Sequence, residues 1–225
     1  MSQIPTVKDR VFLSIDRYEA MDMVTIRQDF FDMVGGAKLG IRFLGAALAP
    51  QIRRGLASHG LQLFIDSKLE ESQSQMPDTV RDYERDGYHY FSVSAGVENE
   101  AILAAARAAK ASKLVMTLAR HQPHLIDGQL QKIHDVNQEL DPGDQIHELL
   151  LDVSDLRRVR QESSEWLLTA TGIYVPGTVP PEDYPRMIPA EALEAGADRI
   201  ALGSAIFGAG EGRVYAMQRV LANCE

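Results

Sequence analysis

The chain has 225 residues, of which 45% are hydrophobic and 24% are charged, and this ordinary composition excludes disordered, collagen-like and disulfide-scaffold proteins. The length suits one domain spanning residues 1–225, because α/β barrels are commonly of this size. The 32 acidic and 23 basic residues give a formal charge of −9, which disfavours nucleic acid and anionic membrane surfaces as partners. An anionic small-molecule substrate would therefore need a local cluster of Lys or Arg.

The cysteine content and the first residues indicate the compartment. Cys224 is the only cysteine, so no disulfide can form within the chain, and no Cys–His spacing typical of a structural zinc site occurs. The opening residues MSQIPTVKDR lack the apolar segment of a secretory signal. No apolar run approaches the roughly 20 residues that a membrane-spanning helix needs. We therefore expect a cytoplasmic protein without a membrane partner.

Short apolar runs alternate with helical patterns along the chain. Strands are predicted at VFLSID (11–16), AKLGI (37–41), LQLFIDSK (61–68), HYFSVS (89–94), KLVMTLA (113–119), HELLLDV (147–153), WLLTATGIYV (166–175) and RIALGSAIF (199–207). Helices are predicted at 22–34, before 59, from 77, at 98–110, near 154–163, at 190–194 and at the C-terminus, whereas the polar segment 120–146 has no clear pattern. Such alternation indicates a parallel sheet covered by helices. About eight strand–helix units favour a closed (β/α)8 TIM barrel over an open doubly wound sheet.

Charged residues follow or end the first three predicted strands. Asp16 closes the first strand, Lys38 lies in the second, and Asp66 and Lys68 lie at the end of the third, with Glu70 and Glu71 directly after them. Residues two apart on a strand share a face, so Asp66 and Lys68 are expected on the same side. A single pair of this kind is usually a solvated ion pair. Its repetition at the carboxyl ends of neighbouring strands favours a functional site.

This combination of charges indicates a type of chemistry. A lysine held by carboxylates can donate a proton to a carbanion. A carboxylate placed against an anionic group of a substrate destabilises that group and favours its departure. Together these properties suit decarboxylation without a cofactor.

Two other features are weaker candidates. His121 and His124 bracket a proline after the fifth strand, but no third metal ligand lies nearby in sequence, so we expect surface histidines and no metal site. The Gly-rich segment 203–212 offers backbone N–H groups that could bind a phosphate at the start of a helix. Gly-rich loops are common, and this signal alone decides little.

The charged strand ends resemble a known family. The segment FIDSKLEE…PDTV resembles the D-x-K-x-x-D-I-x-x-T signature of orotidine 5′-monophosphate (OMP) decarboxylases. LSID resembles the first strand of that family, AKLG its second-strand lysine motif, and MIPAEALEAGADRIALGSAI its closing helix and strand. TATGIY stands where the family has T-P-G-I-R. The resemblance extends over nearly the whole chain except residues 120–146.

The resemblance implies roles for individual residues. Lys38, Asp66, Lys68 and an acid at Glu71, or at Glu70, would form the alternating charged array. Lys68 would protonate the carbanion, Asp66 would face the departing carboxylate, and Asp16 would hold the ribose hydroxyls. The further substrate-binding positions would be Thr79, Thr117, Arg186, Gly203 and Ser204.

The resemblance also bears on partners and metals. In the family the second acid and the threonine come from the neighbouring subunit, which implies a homodimer with sites at its interface. The similar magnesium-dependent sugar-phosphate enzymes carry a metal-binding acid in place of Lys38, so a lysine there argues against a metal. No cofactor is therefore expected.

The phosphate end departs from the family pattern. The arginine beside the glycine of the last strand is Ser204 here, and the arginine of the P-G-I-R turn is Tyr174. Neither side chain can replace the charge of a guanidinium on a phosphate. The motif acid is also a glutamate, one methylene longer than aspartate, and is followed by the longer link SQSQMPD.

The sequence thus predicts a cofactor-free decarboxylase of the OMP decarboxylase type, acting on a small nucleotide or sugar-phosphate-like substrate. Two alternatives stay open at this point. One is a divergent relative that acts on another substrate as a sugar-phosphate decarboxylase or lyase. The other is a barrel without catalysis that binds a nucleotide or a partner protein.

Overall fold

Eight parallel strands close into a barrel in this computed structural model, which describes residues 6–16, 30–120, 122–176, 187–209 and 212–224. The strands are β1 (Val11–Ile15), β2 (Gly36–Gly40), β3 (Gln62–Leu69), β4 (Tyr90–Ser94), β5 (Lys113–Thr117), β6 (Glu148–Asp152), β7 (Leu167–Thr171) and β8 (Arg199–Leu202). Each strand pairs with the next in chain order, and β8 pairs with β1. The predicted (β/α)8 TIM barrel is therefore confirmed, whereas the assignment of all 225 residues to one domain stays a prediction.

Helices connect the strands and pack on the outside of the barrel. They are α1 (Ile41–Leu44) and α2 (Ala49–Ser58) after β2, α3 (Met76–Arg85) after β3, α4 (Asn99–Ala108) after β4, α5 (Pro123–Gln138) after β5, α6 (Leu156–Glu162) after β6, α7 (Pro189–Glu194) after β7, and α8 (Ser204–Phe207) and α9 (Arg213–Asn223) after β8. The helix predicted at 22–34 falls largely outside the described residues. No helix within the described ranges combines the length and the apolar character that a membrane span requires.

Three segments differ from the sequence prediction, one of them being β7, which ends at Thr171 rather than at 175. The segment 120–146, which showed no clear pattern, contains the longest helix described, α5, whose buried residues are Ile126, Leu130, Ile133 and Val136. Their spacing of three and four residues places them on one face, and Pro123 is tolerated in the first turn because its missing N–H would have no helical partner there. Strand β8 ends at Leu202 rather than at 207, because Gly203 leaves the extended conformation and the chain continues into α8.

The barrel interior changes from apolar to polar along the strands. Five interior side chains form an apolar cluster of their own, separate from the larger core between strands and helices: Phe12, Phe64, Tyr90, Val115 and Leu150. Side chains two residues further along the same strands share their face: Ser14, Asp66, Ser92, Thr117 and Asp152. All five of these are polar. The polar layer lies toward the carboxyl ends of the strands, where barrel enzymes place their active sites.

The opposite end of the interior is closed by Arg199. Its guanidinium donates a hydrogen bond to the carboxylate of Glu148 at 2.7 Å and another to the hydroxyl of Tyr90 at 3.1 Å. It also lies 4.8 Å from the centre of the Tyr90 ring. Burial raises the pKa of the Tyr90 phenol above its ordinary value. This network lies at the amino-terminal end of the barrel, opposite the polar layer.

Candidate active site

A buried ion pair joins β2 and β3. The ammonium Nζ of Lys38 lies 2.6 Å from Oδ2 of Asp66, and their side chains are only 5% and 9% exposed. The parallel register pairs Lys38 with Phe64 and Gly40 with Asp66, so both charged side chains rise from the interior face of adjacent strands. An ion pair withdrawn from water in this way is costly to form unless both charges stay satisfied. The structure therefore brings two of the predicted catalytic residues together.

Asp16 extends this cluster across β1. Ser14 links β1 to β2 through its hydroxyl. The ammonium of Lys38 donates a hydrogen bond to this hydroxyl at 3.3 Å, and the hydroxyl donates to Oδ2 of Asp16 at 3.3 Å. A Cβ atom at Gly40 would collide with Oδ1 of Asp16. The glycine of the AKLG motif thus leaves room for this carboxylate beside β2.

Lys68 has an unusual backbone conformation at the rim of the barrel. Its φ of 49° is the only positive φ among the non-glycine residues that the structure describes. Such a conformation costs on the order of 1–3 kcal/mol and persists only where the surroundings hold it. The pairing of β3 with β4 shifts register between Ile65 and Leu69, which accommodates the strained residue. The Lys68 side chain is exposed toward solvent at the mouth of the barrel.

Ser92, which the sequence analysis did not select, supports both Asp66 and Lys68. It is fully buried at the middle of β4. Its hydroxyl donates to Oδ1 of Asp66 at 3.0 Å and accepts the backbone N–H of Lys68 at 2.8 Å. The sequence indicates Ser92 only through its spacing, because it lies two residues after Tyr90, which faces the barrel interior.

Glu71 and Thr79 lie together but outside the cluster just described. The hydroxyl of Thr79 donates to Oε2 of Glu71 at 2.6 Å. The phenol of Tyr83 is close to the same carboxylate. Its pKa is raised, mainly by burial and further by the charge of Glu71, although a hydrogen bond with Ser67 acts in the opposite direction. Neither Glu71 nor Thr79 lines the open cleft above the Lys38–Asp66 pair.

An open cleft of about 470 Å³ lies above the Lys38–Asp66 pair. Its lining residues are Asp16, Lys38, Gly40, Ile41, Arg42, Asp66, Ser67, Lys68 and Arg120. The volume is within the range of small-molecule sites. Four of these described residues carry a positive charge and two carry a negative charge, in a chain whose overall formal charge is −9. The cleft is therefore a local exception that favours an anionic ligand.

Arg120 and Asp152 form a second ion pair at this mouth, and neither was predicted as a site residue. Asp152 ends β6 and its side chain is completely buried, with Oδ2 lying 3.3 Å from Nη2 of Arg120. Its other oxygen, Oδ1, accepts hydrogen bonds from the N–H and the hydroxyl of Ser154, both at 3.2 Å. The signal was present in the sequence, because LLLD ends in an acid as LSID and LFID do.

Among the remaining predicted residues that the structure describes, neither Thr117 nor Ser204 has a hydrogen bond or ion pair with Lys38 or Asp66. Thr117 is buried at the end of β5, and its hydroxyl has no hydrogen-bond partner among the described residues. Gly203 follows β8, and Ser204 is exposed at the start of the four-residue helix α8. Arg186 lies outside the described residues, as does His121. The substrate-binding roles of these residues stay predictions.

The turn after β7 is described as far as residue 176. There the backbone N–H of Tyr174 donates to the carbonyl oxygen of Met187 at 2.9 Å, which ties the turn to the segment before α7. Over the described ranges, no three His, Cys, Asp or Glu side chains converge so that they could hold a metal ion.

Neither the models of protein families nor the sequences of curated proteins match this chain. Solved structures do match it over almost its whole length. The orotidine 5′-phosphate decarboxylase from Pyrococcus horikoshii OT3 superposes with a TM-score of 0.74 at 19% identity, covering 95% of this chain and 98% of that one.

Two further structures agree with this result. The orotidine 5′-phosphate decarboxylase from Lactobacillus acidophilus gives a TM-score of 0.71 at 14% identity, covering 96% of this chain and 99% of that one. The orotidine 5′-monophosphate decarboxylase from Sulfolobus solfataricus gives 0.71 at 16% identity, covering 96% and 98%. The protein therefore has the fold of the orotidine 5′-phosphate decarboxylases.

Proposed function

We propose that this protein is a cofactor-free decarboxylase of an anionic, nucleotide-like substrate, with OMP as the first candidate. The observation that carries the proposal is the buried Lys38–Asp66 pair, 2.6 Å apart, beside Lys68 in a cleft whose lining has more cations than carboxylates. The shared fold with orotidine 5′-phosphate decarboxylases supports it. The product of the candidate reaction is uridine monophosphate (UMP), and the other product is CO₂.

The proposed step breaks the bond between the substrate carbon and its carboxylate carbon. The electron pair stays on the substrate carbon, and CO₂ leaves. The Lys68 ammonium then donates a proton to that carbon, becomes a neutral amine and regains its proton from solvent. Asp66 is fixed by Lys38 and Ser92, so its charge would stay close to the departing carboxylate, and expulsion of CO₂ would relieve the repulsion.

A homodimer is part of the proposal. Glu71 and Thr79 hydrogen-bond to each other and do not line the cleft of their own chain. The resemblance to the family assigns the corresponding acid and threonine to the site of a neighbouring subunit. We therefore place Glu71 and Thr79 at the site of a second copy, where they would complete the charged array.

The test is CO₂ release from OMP by the wild-type protein and by Lys68→Ala. Removal of a positioned proton donor typically lowers the rate by about 10²–10⁴-fold. Lys110→Ala is the matched control, because the Lys110 ammonium pairs with Asp144 outside the cleft and its loss should leave turnover unchanged. A Lys68→Ala variant that folds and keeps wild-type turnover would contradict the proposal.

Metal dependence separates the proposal from the magnesium-dependent sugar-phosphate enzymes. Lys38 occupies the position of their metal-binding acid, so we expect activity to survive treatment with EDTA. If added Mg²⁺ were required instead, Asp66 and Glu71 would become candidate ligands, because Mg²⁺ prefers carboxylate oxygens. The reaction would then be of the lyase type.

A second candidate function rests on the phosphate end of the site. Ser204 is exposed where the family has an arginine, and Tyr174 replaces the other arginine. These differences favour a decarboxylase or lyase that acts on a different anion with the same charged array. Rapid turnover of OMP would exclude it, whereas CO₂ release from another carboxylic acid in a Lys68-dependent manner would support it.

A further inference from the structure

The cations that line the cleft differ in whether they already have a partner. Lys38 is paired with Asp66 at 2.6 Å, and Arg120 is paired with Asp152 at 3.3 Å. Arg42 lines the same cleft, but it forms no ion pair and no side-chain hydrogen bond with any residue that the structure describes. A guanidinium carries five N–H donors. Those of Arg42 are therefore not engaged by the described part of the chain.

The position of Arg42 follows from the end of β2. This strand ends at Gly40, which pairs with Asp66 of β3, so Arg42 comes two residues beyond the level of that carboxylate. Phe43 is only 1% exposed and anchors the short helix α1 in the core. Ile41 and Arg42 are exposed and line the cleft. The segment thus presents a guanidinium at the β2 side of the mouth.

The carboxylate of Asp16 lies beside the same segment. A Cβ atom at Gly40 would collide with Oδ1 of Asp16, so the chain just before Arg42 approaches this carboxylate closely. The resemblance to the family assigns the ribose hydroxyls to Asp16. In a nucleotide the phosphate is attached to the same sugar, and a side chain as long as arginine can reach such a group from two residues away.

Other exposed arginines show what Arg42 lacks. In α3, Arg81 pairs with Asp78, and Arg85 pairs with Asp82. An anion that bound to either of these arginines would compete with a carboxylate already in place. At Arg42 no described ion pair has to be broken before an anion binds.

We propose that Arg42 binds the phosphate of a nucleotide or sugar-phosphate substrate from the β2 side of the cleft. This inference rests on the proposed function only in taking this cleft as the substrate site and Asp16 as its sugar-binding residue. Lys68 stays available for proton transfer. The planar fork of Arg42 matches two phosphate oxygens and supplies a charge that Ser204 and Tyr174 cannot supply.

Calorimetric titration at fixed salt with two pairs of compounds tests this role without requiring turnover. UMP and uridine differ by the phosphate, as do ribose 5-phosphate and ribose. For the wild-type protein we expect the phosphorylated compound to bind more tightly than its neutral counterpart in at least one pair.

Two variants of Arg42 separate its charge from its shape. Arg42→Gln removes the charge, and we expect it to weaken the phosphorylated compound by about tenfold or more while the neutral counterpart binds as before. Arg42→Lys keeps the charge without the planar fork and should fall between the two proteins. Because the Arg42 side chain is exposed, both variants should keep the wild-type melting temperature.

Arg54 of α2 provides the matched control. It is exposed and has no ion pair within the described ranges, but it lies outside the cleft. Arg54→Gln removes the same charge and should leave all four affinities unchanged. Equal binding of the phosphorylated compound by the wild type and Arg42→Gln would overturn the proposal. An equal loss in Arg54→Gln, or a wild type that prefers neither phosphorylated compound, would overturn it as well.

Failure of this inference can be distinguished from failure of the proposed function. If binding of the phosphorylated compound depends on Arg42 but OMP releases no CO₂, only the proposed decarboxylase is contradicted. If OMP is decarboxylated in a Lys68-dependent manner while Arg42→Gln keeps the wild-type affinities, only the role of Arg42 is contradicted.

Discussion

The hydroxyl of Ser92 donates a hydrogen bond to Oδ1 of Asp66 at 3.0 Å, and this contact joins β4 to the charged end of β3. The hydroxyl oxygen of Ser92 also accepts the backbone N–H of Lys68, whose φ is 49°. One buried hydroxyl thus fixes both the carboxylate that faces the proposed leaving group and the backbone that carries the proposed proton donor.

Removal of this hydroxyl is expected to affect catalysis more than stability. In Ser92→Ala the Lys68 backbone loses its partner, so we expect kcat for the substrate to fall by roughly 10–100-fold, which corresponds to about 1.4–2.7 kcal/mol in the barrier. The free energy of unfolding should fall by about 1–2 kcal/mol. Steady-state kinetics and urea unfolding measure the two effects.

Ser94→Ala is the control for this experiment, because Ser94 lies on the same interior face of β4 but its hydroxyl accepts the N–H of Gly96. Its kcat should match the wild type. If Ser92→Ala and Ser94→Ala had equal kcat values, Ser92 would have no positioning role.

The buried ion pair of Lys38 and Asp66 should be essential for stability as well as for activity. Asp66→Asn keeps the side-chain size but leaves the Lys38 ammonium buried without a carboxylate, which typically costs about 3–5 kcal/mol. The double variant Lys38→Met, Asp66→Leu removes both charges and should recover much of that loss while remaining inactive. Chemical unfolding monitored by circular dichroism distinguishes these variants.

An exposed pair supplies the comparison for Asp66→Asn. Asp127→Asn breaks the pair with Arg158, in which the Asp127 side chain is 64% exposed. Exposed pairs contribute about 0–1 kcal/mol, so this change should be nearly neutral. Equal losses for Asp66→Asn and Asp127→Asn would mean that the Lys38–Asp66 pair is no more important than a surface pair.

The barrel and the Lys38–Asp66–Lys68 group could be predicted from sequence because both follow from local patterns. Apolar runs of strand length alternate with helical segments, and a charge at a strand end must lie at the mouth of the barrel. Arg120 and Ser92 could not be found in the same way. Arg120 belongs to a loop after β5, and its relation to Asp152 becomes visible only when β5 and β6 are neighbours. Ser92 looks like any small residue of a buried strand until the register of β3 and β4 is known.

The close approach of Gly40 to Asp16 gives a prediction for the sugar-binding end. A methyl group at residue 40 would collide with Oδ1 of Asp16 and displace this carboxylate. If Asp16 holds the ribose hydroxyls, Gly40→Ala should weaken binding of uridine by roughly tenfold or more, since hydrogen bonds to charged groups are worth about 1.5–3 kcal/mol. Gly55→Ala in α2 is the control, because nothing lies within 4 Å of a Cβ there. Unchanged uridine affinity in Gly40→Ala would contradict this role for Asp16.

Glu84 should make stability depend on pH in the acidic range. Its Oε1 accepts hydrogen bonds from the N–H groups of Lys110, Ala111 and Ser112 and from the Ser112 hydroxyl. Burial alone would raise the pKa of this carboxyl, but the hydrogen bonds together outweigh it and the pKa lies below the ordinary value of 4.5. The charged form is thus favoured in the folded state.

The stabilisation from Glu84 is complete above pH 4.5 and is lost as the pH falls through the lowered pKa. Glu84→Gln, which carries no charge at any pH, should be less stable than the wild type at pH 7 by about 1–3 kcal/mol. The difference should shrink as the pH decreases below 4.5, which urea unfolding at a series of pH values would measure. A difference that stays constant down to pH 2 would show that the charge of Glu84 contributes nothing.

The exposed Ser204 at the start of α8 gives a prediction about phosphate binding. Loss of a bidentate arginine contact weakens the binding of an anion by about 1.5–3 kcal/mol. We therefore expect the wild type to bind UMP weakly and Ser204→Arg to raise the affinity for UMP by roughly tenfold or more. Ser58→Arg adds the same charge at the end of α2, away from the mouth, and separates a local contact from a change in overall charge. Calorimetric titration with UMP at fixed salt measures all three proteins. If the wild type binds UMP tightly and Ser204→Arg does not change the affinity, other residues already hold the phosphate. After Arg42, Arg120, which lines the cleft, would then be the next residue to substitute.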